Sequence, residues 1–169
     1  MPELWDLFDA DRRPLGRLHK RGRPLPEGCY HLVVHIWLYN ARGELLLSRR
    51  DPCKPFGLLW ECTGGSVVAG EDSPTGALRE VEEEVGLTLP SSALWFWRGE
   101  RRESDFLDQY LAHTEAALDA LTFQPGEVID AQWADEDAVR RLWEAGALVP
   151  MLGFFPEVFE AVRARLTTC

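Results

Sequence analysis

The chain has 169 residues, 46% of them hydrophobic and 11% aromatic, enough for one domain (1–169) with a full core. A net charge of −10 argues against a nucleic-acid partner, because such binding neutralises phosphates with a basic surface. The amino terminus carries charges where a secretion signal needs an apolar run and no stretch reaches membrane-span length, so a cytoplasmic protein with no membrane partner is expected.

Glu3 to Phe8 alternates as a short strand. The turn Asp9-Ala10-Asp11 and the segment Arg12 to His19 complete a hairpin within an amino-terminal extension, 1–27. Arg17, Lys20, Arg21 and Arg23 then cluster as a solvated loop or as a wall that attracts an anionic substrate. His31 to Tyr39, HLVVHIWLY, is the strongest strand signal and reads as buried on both faces. His31 and His35 share one strand face, where core or hydrogen-bonding roles outweigh metal ligation. Asn40 to Gly43 turns the chain into a second strand, Glu44 to Arg49. After a Pro- and Gly-rich loop, Asp51 to Leu59, a short strand Trp60 to Thr63 leads into Gly64-Gly65, glycines free to turn tightly and offer a carbonyl. Cys29, Cys53, Cys62 and Cys169 form no C-x-x-C pair, so no zinc or redox motif is visible.

Gly65 to Leu87 is the stretch that carries chemistry. Ser73-Pro74 is a helix-start signal and Gly86 a stop signal. At about 100° per residue, Ala77, Leu78, Val81 and Val85 form an apolar stripe, and Glu80, Glu83 and Glu84 fall within an arc of roughly 100° on another face. Glu82 points away. Convergent carboxylates repel and call for a cation, an arginine or solvent. Hard oxygen donors beside substrate phosphates are what magnesium takes.

Beyond the helix, Ala93 to Arg98 and Asp105 to Ala112 read as strands around the turn Gly99 to Glu103, where Arg98, Arg101 and Arg102 are solvated or hold a phosphate. Trp95, Trp97 and Phe106 are core residues or stacking platforms. Glu115 to Leu121 is a loop or single turn, Gln124 to Glu127 a turn, and Val128 to Ala134 a strand. Asp135 or Asp137 caps a helix to about Glu144, stopped by Gly146. Phe155, Phe159, Val162 and Leu166 mark a last amphipathic helix, completing a carboxy-terminal helical part, 135–169. The class is α/β, layered on a mixed β-sheet.

The spacing Gly65, five residues, Glu71, seven residues, Arg79-Glu80-Val81, one residue, Glu83-Glu84, one residue, Gly86-Leu87 is similar to the signature box of the Nudix hydrolases, with every fixed position filled. At average residue usage, chance gives that pattern in roughly one chain of this length in ten million. The flanking runs HLVVHIWLYNARGELLLSRR, LWECTGG and EVIDAQWADEDAV extend the resemblance to about residues 28–145. It implies a Nudix α/β/α sandwich with box 65–87 beside the sheet, and cleavage of a diphosphate linkage in a nucleoside diphosphate joined to another moiety or in a related organic pyrophosphate. Magnesium (Mg2+) or manganese (Mn2+) would be held by Glu80, Glu83, Glu84 and the Gly65 carbonyl, with Glu71 and Arg79 steadying the loop. Glu80 and Glu84 would serve catalysis, and the general base would be Glu80 or an acid on a later loop, here Glu127, with Glu100 or Glu103 as substitutes.

The opening LWDLFDADRRPLG and residues 31–65 also resemble the branch related to isopentenyl-diphosphate isomerases. In those enzymes a cysteine and a histidine follow the tryptophan corresponding to Trp60. Here Gly64 and Val67 stand at those positions and Cys62 sits two residues early, so isomerisation is disfavoured. A nucleotide sensor without catalysis is the other alternative, and the complete box speaks against it. The partner is a small diphosphate molecule, and the hairpin with apolar edge strands suggests a homodimer.

Overall fold

A computed structural model describes residues 2–168; Cys169 lies outside them. Nine strands and three α-helices follow in the order β1 (Leu4–Phe8), β2 (Pro14–Lys20), β3 (His31–Tyr39), β4 (Leu45–Arg50), β5 (Trp60–Glu61), β6 (Thr63–Ser66), α1 (Ser73–Val85), β7 (Leu94–Arg101), β8 (Asp105–His113), β9 (Val128–Ala134), α2 (Glu136–Glu144) and α3 (Phe155–Thr168). β1 and β2 form the expected hairpin. The other seven strands make one mixed sheet, ordered β5-β4-β3-β8-β7, with β6 added to β3 and β9 to β4. Among the described strands only β3 and β8 pair in parallel, from His31 opposite Asp105 to Tyr39 opposite His113.

The sheet is covered on both faces, which is why β3 carries a continuous apolar run rather than an alternating one. On one face Ala77, Val81 and Val85 of α1 pack, fully buried, against Val34, Ile36 and Tyr110. On the other, Phe155, Val158, Phe159 and Val162 of α3 pack on Trp37, Tyr39, Leu47 and Leu111. This is the α/β/α sandwich expected, with Leu78 half-buried at the margin of its stripe.

Several boundaries move for local reasons. β2 begins at Pro14 because the Asp9 carboxylate accepts the backbone N–H groups of Asp11 and Arg13, prolonging the turn. The cap of α1 is Asp72, not Ser73: its carboxylate accepts the Thr75 N–H at 2.9 Å, while the Ser73 hydroxyl is committed to Tyr110 Oη at 2.8 Å. A charged cap is also favoured by the positive end of the helix. Gly64 and Gly65 are not a turn but lie inside β6, opposite His35 and Val34. Their need is for space: a Cβ on Gly64 would come closer than 3.0 Å to the Val34 carbonyl oxygen, and one on Gly65 equally close to the Glu80 carboxylate.

His31 and His35 are structural. His31 stacks on Trp5 at 3.9 Å, and His35 has an enclosed Nδ1 with no protein partner. Burial, with a smaller contribution from Arg102, depresses the His35 pKa from 6.5 to about 4. Between those pH values the unfolded chain binds the proton and the folded one does not, so this residue's stability contribution is present above pH 6.5 and is lost as pH falls towards 4. At 1.36 kcal/mol per pH unit the loss reaches about 3 kcal/mol. Urea unfolding at pH 7 and pH 4.5 should therefore show a steeper decline for the parent than for His35→Leu; parallel declines would show that the ring is not held neutral.

Candidate active site

The box helix turns three acids towards the end of β6. Glu84 is buried and accepts the Gly64 N–H at 3.3 Å, Glu80 lies over Gly65, and Glu83 is half-exposed at the mouth. Glu82 is on the exposed face, as its helical position requires. Arg79 is the hub: Nε donates to Glu71 Oε1 at 3.0 Å, Nη1 to Glu80 Oε1 at 2.9 Å and to Glu83 Oε2 at 3.0 Å, and Nη2 to the Ser66 carbonyl at 3.0 Å. The pairing of Glu71 with Arg79 that the resemblance implies is thus present.

Gly65, Glu80, Glu83 and Glu84 line one polar cavity of about 150 Å³, and Glu127, from the turn before β9, closes its far side. Sequence reasoning missed Lys54, Glu3, Ser66 and Gln124 there, and named Arg21 only within a basic cluster. Lys54, from the loop after β4, is ion-paired with Glu127. Arg21 and Glu3, at the open end of the hairpin, are paired at 2.7 Å. Lys54 meets Glu127 across 73 residues of sequence, and no spacing signals such a contact. For Arg21 the basic cluster was the available signal, but it does not single out one of four residues.

The remaining candidates fall elsewhere. Arg98 lies between the rings of Trp97 and Phe154 and pairs with Glu157, Arg101 donates to the Ala10 carbonyl, and Arg102 pairs with Asp105. None of the three lines the carboxylate cavity, and neither do Glu100 and Glu103. Trp97 and Phe106 are packing residues, and Trp95 lies under Arg165.

Burial dominates the electrostatics. It pushes Glu84 well above the usual carboxyl range, with the charges of Glu61 and Glu80 adding to the shift, and it raises Glu80, where Arg79 opposes it. Burial pulls Arg79 down, but its bonds to Glu71 and Glu80 outweigh that and raise it. Such a site favours an added cation. The donors are hard oxygens, one of them a buried carboxylate with no cation bonded to it, and a Gly cradle leaves room; this suits magnesium or manganese. Among the described residues no three His, Cys, Asp or Glu side chains are yet arranged to hold an ion. In this arrangement the Arg79 guanidinium bonds Glu71, Glu80 and Glu83.

The NUDIX domain pattern matches residues 30–152. An uncharacterised Nudix hydrolase of Listeria monocytogenes is 32% identical over 164 residues, covering 96% of each chain. An isopentenyl-diphosphate Delta-isomerase of Escherichia coli is 30% identical over 142 residues, covering 80% of this chain and 78% of the relative. Among solved structures, DR0079 of Deinococcus radiodurans superposes with a TM-score of 0.69 at 24% identity, over 96% of this chain and 98% of that one, a likeness of fold. No helix among the described residues is long and apolar enough to cross a membrane. With a complete box folded around one acidic cavity and a relative matching nearly end to end, the chain belongs to the Nudix hydrolase family.

Proposed function

We propose that the chain is a metal-dependent pyrophosphohydrolase that cleaves a diphosphate linkage in an organic pyrophosphate such as a nucleoside diphosphate derivative. The observation that carries this reading is the cavity itself, in which Glu80, Glu83, Glu84 and the Gly65 backbone face two cations, Lys54 and Arg21, contributed by segments outside the box. Magnesium or manganese, when bound by those carboxylates and the Gly65 carbonyl, would offset phosphate charge and acidify a bound water.

The chain's own groups do the rest. Lys54 and Arg21 exchange their carboxylate partners for phosphate oxygens, which fixes the diphosphate between them. Glu127, released from Lys54, accepts the proton of the attacking water. Glu71 holds Arg79, and Arg79 holds Glu80 and Glu83 in place, a supporting role whose loss costs about 10- to 100-fold in comparable sites.

Lys54→Ala and Arg21→Ala should each raise KM by about tenfold, the value of one charge-assisted hydrogen bond of roughly 1.5 kcal/mol, and each should flatten the dependence of KM on salt. Unchanged KM in both variants would remove them from substrate binding. The decisive experiment is a hydrolysis screen with magnesium or manganese over nucleoside triphosphates, nucleotide sugars, dinucleotides and isoprenoid diphosphates, with products identified by mass and Glu84→Gln as the blank. Turnover that vanishes in the blank supports the proposal. No turnover on any diphosphate, with metal-free binding of a nucleotide, would favour the sensor.

The similarity to isomerases favours a second reading less than it first suggests. Gly64 and Val67 occupy the positions of that enzyme's cysteine and histidine, and Cys62 is buried, with its thiol pushed well above its usual range. A cytoplasmic setting accords with Cys29, Cys53 and Cys62 all being unpaired. A homodimer through the outer edge of β7, where Trp95 and Phe96 are exposed, is testable by sedimentation.

A further inference from the structure

A second, larger cavity of about 690 Å³ lies where the hairpin crosses the start of α1 and the strand β8. It is unlike the carboxylate cavity. Leu7, Phe8, Leu32 and Tyr110 give it an apolar and aromatic lining, and its volume falls in the range of small-molecule sites. Its polar part is built rather than incidental. Asp108, with a side chain 3% exposed, holds the Arg12 guanidinium through both oxygens, and Tyr110 and Ser73 share a buried hydrogen bond. Arg12 sits in the hairpin turn with a left-handed backbone (φ 62°).

The charge of the lining is informative. Arg12 is neutralised by Asp108 and Glu71 by Arg79, which leaves Asp6 and Asp72. Each takes one backbone N–H, from Gly70 and Thr75 respectively; the Thr75 hydroxyl also bonds Asp72, and among the described residues the other oxygen of Asp6 has no protein donor. A phosphate is therefore repelled here, whereas a flat group offering N–H donors is favoured. The chain entering β1 borders both cavities: Glu3, just before the strand, lines the carboxylate cavity and Asp6 the larger one, about 10 Å apart at strand rise. The hairpin that supplies one wall of this cavity precedes residues 30–152, whereas Leu32, Gly70 to Pro74, Asp108 and Tyr110 lie within the family pattern.

We infer that this cavity receives the organic part of the diphosphate substrate and selects an aromatic nitrogen heterocycle bearing an exocyclic amine, donated to Asp72 and Asp6. This rests on the hydrolase reading for the placement of the diphosphate, but the selection is measurable without it. Adenosine and inosine carry no phosphate and differ in that the first bears an amine where the second bears a carbonyl. Calorimetric titration of the metal-free full chain should give adenosine an affinity about tenfold higher than inosine, the value of one hydrogen bond to a charged acceptor. Pro74→Trp, at the exposed rim, should abolish adenosine binding. Asp72→Asn keeps a capping oxygen for α1 and should shrink the preference below about threefold. Equal affinities for the two nucleosides, no binding of either, or binding unaffected by Pro74→Trp would overturn the inference. If hydrolysis depends on Glu84 while the nucleosides show no preference, the cavity assignment fails alone. If no diphosphate is cleaved yet adenosine is preferred, the selection holds and the reaction assignment fails.

Discussion

Glu84→Gln is expected to lower turnover by about 10³-fold or more while making the metal-free protein more stable. On the hydrolase reading proposed above, the loss follows from removing a charge that would hold the metal, which would contribute several kcal/mol to transition-state stabilisation at 1.36 kcal/mol per decade of rate. The gain follows from burial. Glu84 is held well above the usual carboxyl range inside the fold, so its ionisation costs more in the native state than in the unfolded chain. A carboxyl shifted upward contributes stability that is present below its unfolded pKa and is lost as pH rises through the folded value. At neutral pH the parent bears that loss and the glutamine variant does not, while the Gln Oε1 still accepts the Gly64 N–H. The variant should therefore melt about 6 °C higher without metal, from roughly 2 kcal/mol of relieved desolvation. Metal at a hundred times its Kd should stabilise the parent by about 2.7 kcal/mol and the variant hardly at all. Calorimetric scans with and without magnesium, beside a rate measurement, test both halves. A variant that melts lower and still responds to metal would take Glu84 out of the site.

Gly64→Cys should destabilise the fold by about 3 kcal/mol, or about 10 °C in Tm, and confer no isomerase activity. The obstacle is backbone, not side chain: the new Cβ would press on the Val34 carbonyl oxygen and on the His35 ring, so β6 has to move away from β3. That movement would carry Gly65 away from Glu80 and open the end of the carboxylate cavity. Gly65→Ala meets instead the far end of the Glu80 side chain, which can swing, and should cost less stability but displace that carboxylate. Thermal melts of the two variants rank these effects, and a Gly64→Cys protein as stable as the parent would refute the close approach. The similarity to isomerases in sequence therefore does not extend to a site that tolerates a thiol at this position.

The amino-acid sequence determined what depends on short range. Helical periodicity alone places Ala77, Val81 and Val85 on the buried face of α1 and gathers Glu80, Glu83 and Glu84 on another, and the structure brings those acids into one cavity. The continuous apolar run of β3 foretold a strand covered on both sides, because neither face can be left to water. The Glu71 pairing with Arg79 was readable only through the resemblance of the box, since Glu71 precedes the helix and no local periodicity sets its partner. Even locally, one competition was not legible: Ser73 and Asp72 are both good caps, and the choice fell to Asp72 because Tyr110, 37 residues away, claims the serine hydroxyl.

Only the tertiary structure decided which charges face the carboxylates. Lys54 and Arg21 belong to a loop and a hairpin whose positions are set by packing, and a sequence of basic residues says nothing about which one reaches a cavity. The same holds for Gly64 and Gly65, whose small size answers a neighbouring strand and a carboxylate rather than a turn. It holds most strongly for the second cavity, whose ion pair spans 96 residues between Arg12 and Asp108. Contacts of that separation leave no periodic trace along the chain, since each partner is free to vary with the loop that carries it.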